Sequence, residues 1–302
     1  MEYVQGRLNS RGMVEGKHGD WVFVDWSPRN MSKDGELAFE QLVYLRSLQT
    51  MQQCAELVEN TGDAEHYEKQ AKQLSELIIP TFWNAEKGAM MHHTKDRQLQ
   101  DEVTRYANIF AVLYDMLDES QRQSVLTNVL QNDSVMEITT PYMRFYELEA
   151  LCALGQQKLV MDEMRSYWGG MLAQGATTFW ETYDPKEDYP ERLAMYGNRY
   201  GKSLCHAWGA SPIYLLGKYY LGVCPTKPGY AEWECRPCLG DLKWMKGDVP
   251  TPHGNIHIEM TRKQITIDSK RCGPVKFIIG QKEVMVNPDQ RIVVSLRSLQ
   301  LR

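Results

Sequence analysis

Glu181 is the residue best placed to do chemistry in this chain. It sits in Gln174-Gly175-Ala176-Thr177-Thr178-Phe179-Trp180-Glu181-Thr182-Tyr183-Asp184-Pro185, a carboxylate between Trp180 and Tyr183. Aromatic faces bind the apolar faces of sugar rings, and a Glu among them can move a proton. The same residues also fit a helix start, with Thr177 or Thr178 as N-cap and Glu181 closing a capping box. About twenty residues on, Ser203-Leu204-Cys205-His206-Ala207-Trp208 adds a histidine and another indole. Gly19-Asp20-Trp21 and Asp25-Trp26 place two carboxylates and two Trp in one short loop, which reads equally as a surface loop or a pocket wall.

Two further clusters carry less. Cys235-Arg236-Pro237-Cys238 has the spacing of half a zinc or redox site, but no second pair accompanies it, and a structural zinc site needs four ligands. His92-His93 raises a metal, yet adjacent residues are expected to point apart.

The elements that must position these groups change character once along the chain. Helical spacing of apolar residues runs from Glu36 to Tyr220: Leu37 to Val58, Ala64 to Ile79 ending at Pro80, Tyr106 to Leu117, Ser120 to Leu130, Pro141 to Leu154, Gln157 to Trp168 and Leu204 to Tyr220. Long, broadly apolar helices alternate with shorter amphipathic ones, as an inner ring wrapped by an outer ring would. A solenoid of helical hairpins is the alternative, but no fixed repeat recurs. Beyond Tyr220, short alternating runs at Ile256–Met260, Gln264–Asp268, Val275–Ile279, Val284–Val286 and Ile292–Val294 predict strands of an antiparallel sandwich. The expected domains are therefore 1–220, helical, and 221–302, all-β.

Composition excludes several classes. The 302 residues are 43% hydrophobic and 24% charged, as in soluble globular proteins. A net charge of −5 gives no reason to expect nucleic acid or an anionic membrane as partner. No run approaches the roughly 20 apolar residues of a transmembrane helix. Eight Trp and sixteen Tyr against seven Phe tilt the aromatics toward the amphipathic kind, which suits a pocket both apolar and hydrogen-bonding.

Gly175-Ala176-Thr177-Thr178-Phe179-Trp180-Glu181 followed by Ser203-Leu204-Cys205-His206-Ala207-Trp208 resembles the bacterial α-L-rhamnosidases, an inverting family of glycoside hydrolases. The likeness continues through Leu221-Gly222-Val223, Pro228-Gly229-Tyr230, Gly240-Asp241-Leu242 and Gly247 to Gly254, with Gly19-Asp20-Trp21 and Thr140-Pro141-Tyr142 upstream. The resemblance implies part of an (α/α)6 six-hairpin barrel, then a β-sandwich. It maps Glu181 onto the general base and His206 onto a sugar-contacting histidine, with Trp180, Trp21, Asp20 and Tyr183 about the substrate. The implied substrate is a rhamnose-containing glycoside, and neither metal nor cofactor is required. Inversion uses two carboxyl groups, one protonating the leaving oxygen and one activating water. No counterpart of the family's acidic Arg-Glu-Arg segment is found, so the expectation is a C-terminal fragment of such an enzyme, inactive alone, with an exposed barrel edge that promotes self-association. A non-catalytic carbohydrate-binding protein and a helical protein-interaction scaffold are the rival readings.

Overall fold

The computed structural model describes residues 2–16, 24, 31–269, 272–279, 282–286, 291–295 and 300–301. Asp20, Trp21, Asp25 and Trp26 lie outside them. The chain forms two compact units, Met1–Leu154 and Gly155–Arg302.

The first unit is built on helix Ala38–Leu57, packed along Thr61–Phe82 as an antiparallel hairpin. Phe39, Leu42, Leu45 and Leu48 give the first helix its buried stripe, and Ala71, Leu74, Ile78 and Phe82 give the second helix its own. The turn Asn60-Thr61-Gly62-Asp63 opens the second helix. Asn60 is its N-cap, accepting the Asp63 N–H at 3.2 Å, and the left-handed residue of the turn is Glu59 (φ 58°). The helix also continues through Pro80 to Phe82, because a proline in the last turn forfeits only one hydrogen bond there.

Helix Arg105–Leu113 packs on Ala38–Leu57 and on Pro141–Ala153. Phe39 meets Phe110 edge-on at 5.1 Å, and Arg105 forms a buried ion pair with Glu147. Glu119–Val125, capped by an Asp118–Gln121 capping box, passes into a π-helical turn at Leu126–Leu130. Short strands fill the connections: Trp83–Asn84 with Ala89–Met90, and Glu36–Leu37 with His93–Lys95 and Gln98–Leu99.

The second unit opens with helix Gln157–Ala173 and ends in two sheets. One is antiparallel, in the order Gln300–Leu301, Ile292–Ser295, Gln264–Asp268, Gly254–Thr261, Trp244–Thr251. The other runs Lys282–Val286, Val275–Ile279, Trp233–Cys235, Val223–Pro225. Its central pair, Val275–Ile279 on Trp233–Cys235, is parallel, so the sandwich is mixed rather than wholly antiparallel. Trp233, Ile256, Ile258, Ile267 and Val275 fill the core with Cys235, whose thiol burial pushes far up and makes inert. Among the described residues no helix is long and apolar enough to cross a membrane.

The helix expected from Leu204 starts only at Ser211, running to Leu215 and on as a π-turn through Leu221. Residues 203–206 have a different task.

Candidate active site

Helix Gln157–Ala173 ends at Gln174, and Gly175 follows in the left-handed region (φ 89°), where a side chain would be strained. The chain then runs irregularly through Glu181 and lies beside the equally irregular 203–206. The Glu181 N–H donates to Ser203 O at 2.9 Å, the His206 N–H to Phe179 O at 2.8 Å, and the Thr178 hydroxyl to Leu204 O. This backbone pairing brings two motifs more than twenty residues apart into one place, and it is why 203–206 cannot be helical.

No helix begins at Thr177 or Thr178, so the capping box is not formed. Glu181 is 4% exposed. Its Oε2 accepts the Ser203 N–H at 3.0 Å and its Oε1 accepts the Tyr196 hydroxyl at 2.9 Å. His206 Nδ1 stands 4.0 Å from Oε2, its ring tilted against Trp208 at 4.4 Å and its side chain 30% exposed. Trp208 Nε1 donates to the Glu181 carbonyl at 3.1 Å, fixing the backbone beneath the acid. Each carboxylate oxygen has two lone pairs and spends one on these donors, which leaves acceptor capacity for a water.

Tyr196 arrives on a tight turn. Met195 and Asn198 exchange both backbone hydrogen bonds at 2.9 Å, with Tyr196 (φ 55°) and Gly197 (φ 74°) between them. Two positive φ values mark the two-residue hairpin turn that favours Asn-Gly, and a tyrosine there is strained. Its ring is 67% exposed while its hydroxyl reaches inward. Desolvation at that hydroxyl, and then the hydrogen bond to Glu181, raise the phenol above its ordinary range.

Trp180 and Tyr183 are 5% and 8% exposed, so both rings are largely withdrawn from solvent. Tyr183 is pinned to helix Gln157–Ala173: its N–H donates to the Tyr167 hydroxyl at 3.2 Å, and the two rings meet edge-on at 5.4 Å. A Cβ at Gly170 would lie 2.3 Å from the Tyr183 hydroxyl, so that position must stay bare. Trp180, Glu181, Tyr183 and His206 thus share one region, whereas Asp20 and Trp21 lie outside the described residues. Sequence reasoning missed Tyr196 and Ser203 as partners of the acid and Trp208 as its backbone support. Ser203 and Trp208 stood within the histidine motif; for Tyr196 the only signal was Tyr-Gly-Asn, a turn.

The bacterial alpha-L-rhamnosidase 6 hairpin glycosidase domain model matches residues 1–220, and the bacterial alpha-L-rhamnosidase C-terminal domain model matches 222–270. Among solved structures, the chain is similar to a family 78 rhamnosidase of Bacillus sp. GL1, at 25% identity and TM-score 0.75 over 93% of this chain. It is also similar to a rhamnosidase from Klebsiella oxytoca with rhamnose bound, at 28% identity and TM-score 0.60 over 72% of this chain. The α-L-rhamnosidase of Aspergillus terreus shares the fold at 14% identity, TM-score 0.74 over 97% of this chain. The chain spans 30%, 40% and 34% of those three proteins' lengths. No curated protein matches it by sequence.

Proposed function

The chain belongs to the bacterial α-L-rhamnosidase six-hairpin glycosidase family, and from that premise we propose that it carries the base half of a glycosidase site acting on terminal α-L-rhamnose with inversion. Glu181 takes a proton from the attacking water. Ser203 and Tyr196 hold its carboxylate in one rotamer, and His206 bonds a sugar hydroxyl from beside it. Tyr183 anchors the loop against its helix, and Trp180 is buried beside the acid. The observation that carries this reading is the buried Glu181 carboxylate, held at 3.0 and 2.9 Å by two donors with a half-open histidine 4.0 Å away. A helix cap would have its partner within its own turn; this acid has partners 22 and 15 residues distant.

Inversion calls for a second carboxyl group to protonate the leaving oxygen, and the family resemblance matches none in this sequence to that role. The test therefore uses a nitrophenyl α-L-rhamnoside, whose phenolate departs without a proton and so reports on the base alone. Slow release of nitrophenol with β-L-rhamnose as first product, together with saturable rhamnose binding, is expected. Retained configuration in the product would sink the inverting mechanism; rhamnose binding with no release would leave a lectin-like protein. We also propose a boundary between the helical and sandwich domains at Tyr220–Leu221, a reading supported by one family match ending at residue 220 and the other beginning at 222.

A further inference from the structure

His92, His93 and Glu102 converge in the first unit, and one ligand atom from each lies within 4.8 Å of the others. Adjacent residues of a regular strand would point to opposite faces. His92, however, precedes the strand His93–Lys95, and the two imidazoles meet edge-on at 5.4 Å. His92 is wholly buried. Its Nε2 lies 2.8 Å from the Ser32 carbonyl oxygen, which only an N–H can face, so the lone pair is on Nδ1. An imidazole held through its far nitrogen by a backbone carbonyl is how metal-binding histidines are oriented. The Thr104 hydroxyl now meets Nδ1 at 3.1 Å, and a hydroxyl can rotate to release it.

His93 supplies the independent sign. Its side chain is 9% exposed, and its Nδ1 is buried without a hydrogen bond although Glu102 Oε2 is 3.3 Å away. An imidazole nitrogen and a carboxylate oxygen that face each other at 3.3 Å without a hydrogen bond are both satisfied by a cation between them. Zinc bonds of about 2.0–2.2 Å put tetrahedral ligand atoms roughly 3.3–3.5 Å apart, which this pair already meets. Glu36, close by, is committed to Asn9, Arg11 and Thr94.

We propose that His92 Nδ1, His93 Nδ1 and Glu102 Oε2 bind a divalent cation of the zinc class, a site that cross-links the segments carrying Ser32, His93 and Glu102. The role is structural, since hydrolysis by carboxylates needs no metal.

The test is calorimetric titration of the chelator-stripped chain with ZnCl2. One equivalent should bind, with a rise in Tm. His93→Ala and Glu102→Gln should each weaken binding by at least about 100-fold, since even outer-shell partners are worth 10–100-fold. His257→Ala is the control, because exposed His257 stands between Asp248 and Glu259 as a rival surface site; it should change nothing. Cobalt(II) added to the His257→Ala chain should give the intense visible bands of tetrahedral coordination, a readout that survives even if the His93 variant misfolds. Substoichiometric zinc, unchanged binding in the two site variants, loss of binding with His257→Ala, or absent cobalt bands would each overturn the site.

Discussion

Glu181→Gln separates the base from the scaffold. The carboxylate accepts from two donors of different kinds: the Ser203 N–H, which cannot reverse, and the Tyr196 hydroxyl, which can. A glutamine therefore turns its carbonyl to Ser203 and its NH2 to Tyr196, whose oxygen accepts instead. Both hydrogen bonds survive in neutral form, each weaker by roughly 1 kcal/mol than its charged counterpart, while the cost of burying a charge disappears. Net stability should change by no more than about 1 kcal/mol, read by urea denaturation. Turnover of the nitrophenyl rhamnoside should fall by roughly 10²–10⁴-fold, the worth of a general base, or about 2.7–5.4 kcal/mol of barrier. Rhamnose binding should persist. In Glu181→Gln/Tyr196→Phe the hydroxyl lost is one that bonded a neutral amide rather than a carboxylate, so the double variant should be less destabilised than the sum of the singles, by about 1 kcal/mol. Near-normal turnover in Glu181→Gln would refute the assignment. Loss of folding with additive singles would make Glu181 a structural acid.

Arg105→Leu should cost roughly 3–5 kcal/mol, because it strands the buried Glu147 carboxylate; a loss under about 1 kcal/mol in chemical denaturation would show that Glu147 finds another partner. Gly222→Ala should destabilise by about 1–3 kcal/mol, since φ is 80° and the new Cβ would fall 2.3 Å from the Arg236 carbonyl; an unchanged midpoint would mean that the sandwich entry relaxes. Tyr196→Asn should leave stability within about 1 kcal/mol, since relief of about 1–2 kcal/mol of turn strain offsets a hydroxyl bond worth about 1.5–3 kcal/mol, while lowering nitrophenyl rhamnoside turnover; unchanged turnover would remove Tyr196 from the site.

Periodicity made most of the elements legible. Gln264–Asp268 and Val275–Ile279 form where period-two alternation predicts them. Trp244–Thr251 escapes that reading because it is an edge strand with no buried residue, and Pro250 reads as a breaker although an edge tolerates it. The helix ends are misread for two different reasons. Leu204-Cys205-His206-Ala207-Trp208 has helical spacing, yet its backbone is claimed by Thr178 and Phe179 across the fold. Pro80 stops a helix on paper and sits in its last turn in fact.

The chemistry of the site was more legible than its support. A carboxylate among indoles and phenols is visible in any window, but the groups that orient it come from other segments, and no window contains them. Tyr196 is the sharpest case. In the left-handed region a β-carbon costs about 1–2 kcal/mol, and asparagine or glycine would relieve that strain. A turn that served only to reverse the chain would have little use for tyrosine there. The ring is mostly in solvent, so its burial offsets little of the cost, and the hydroxyl bond to a buried carboxylate, worth about 1.5–3 kcal/mol, is what can balance it. Strain at the turn and order at the acid are thus two ends of one side chain, which is why Glu181 is better described as held than as merely buried.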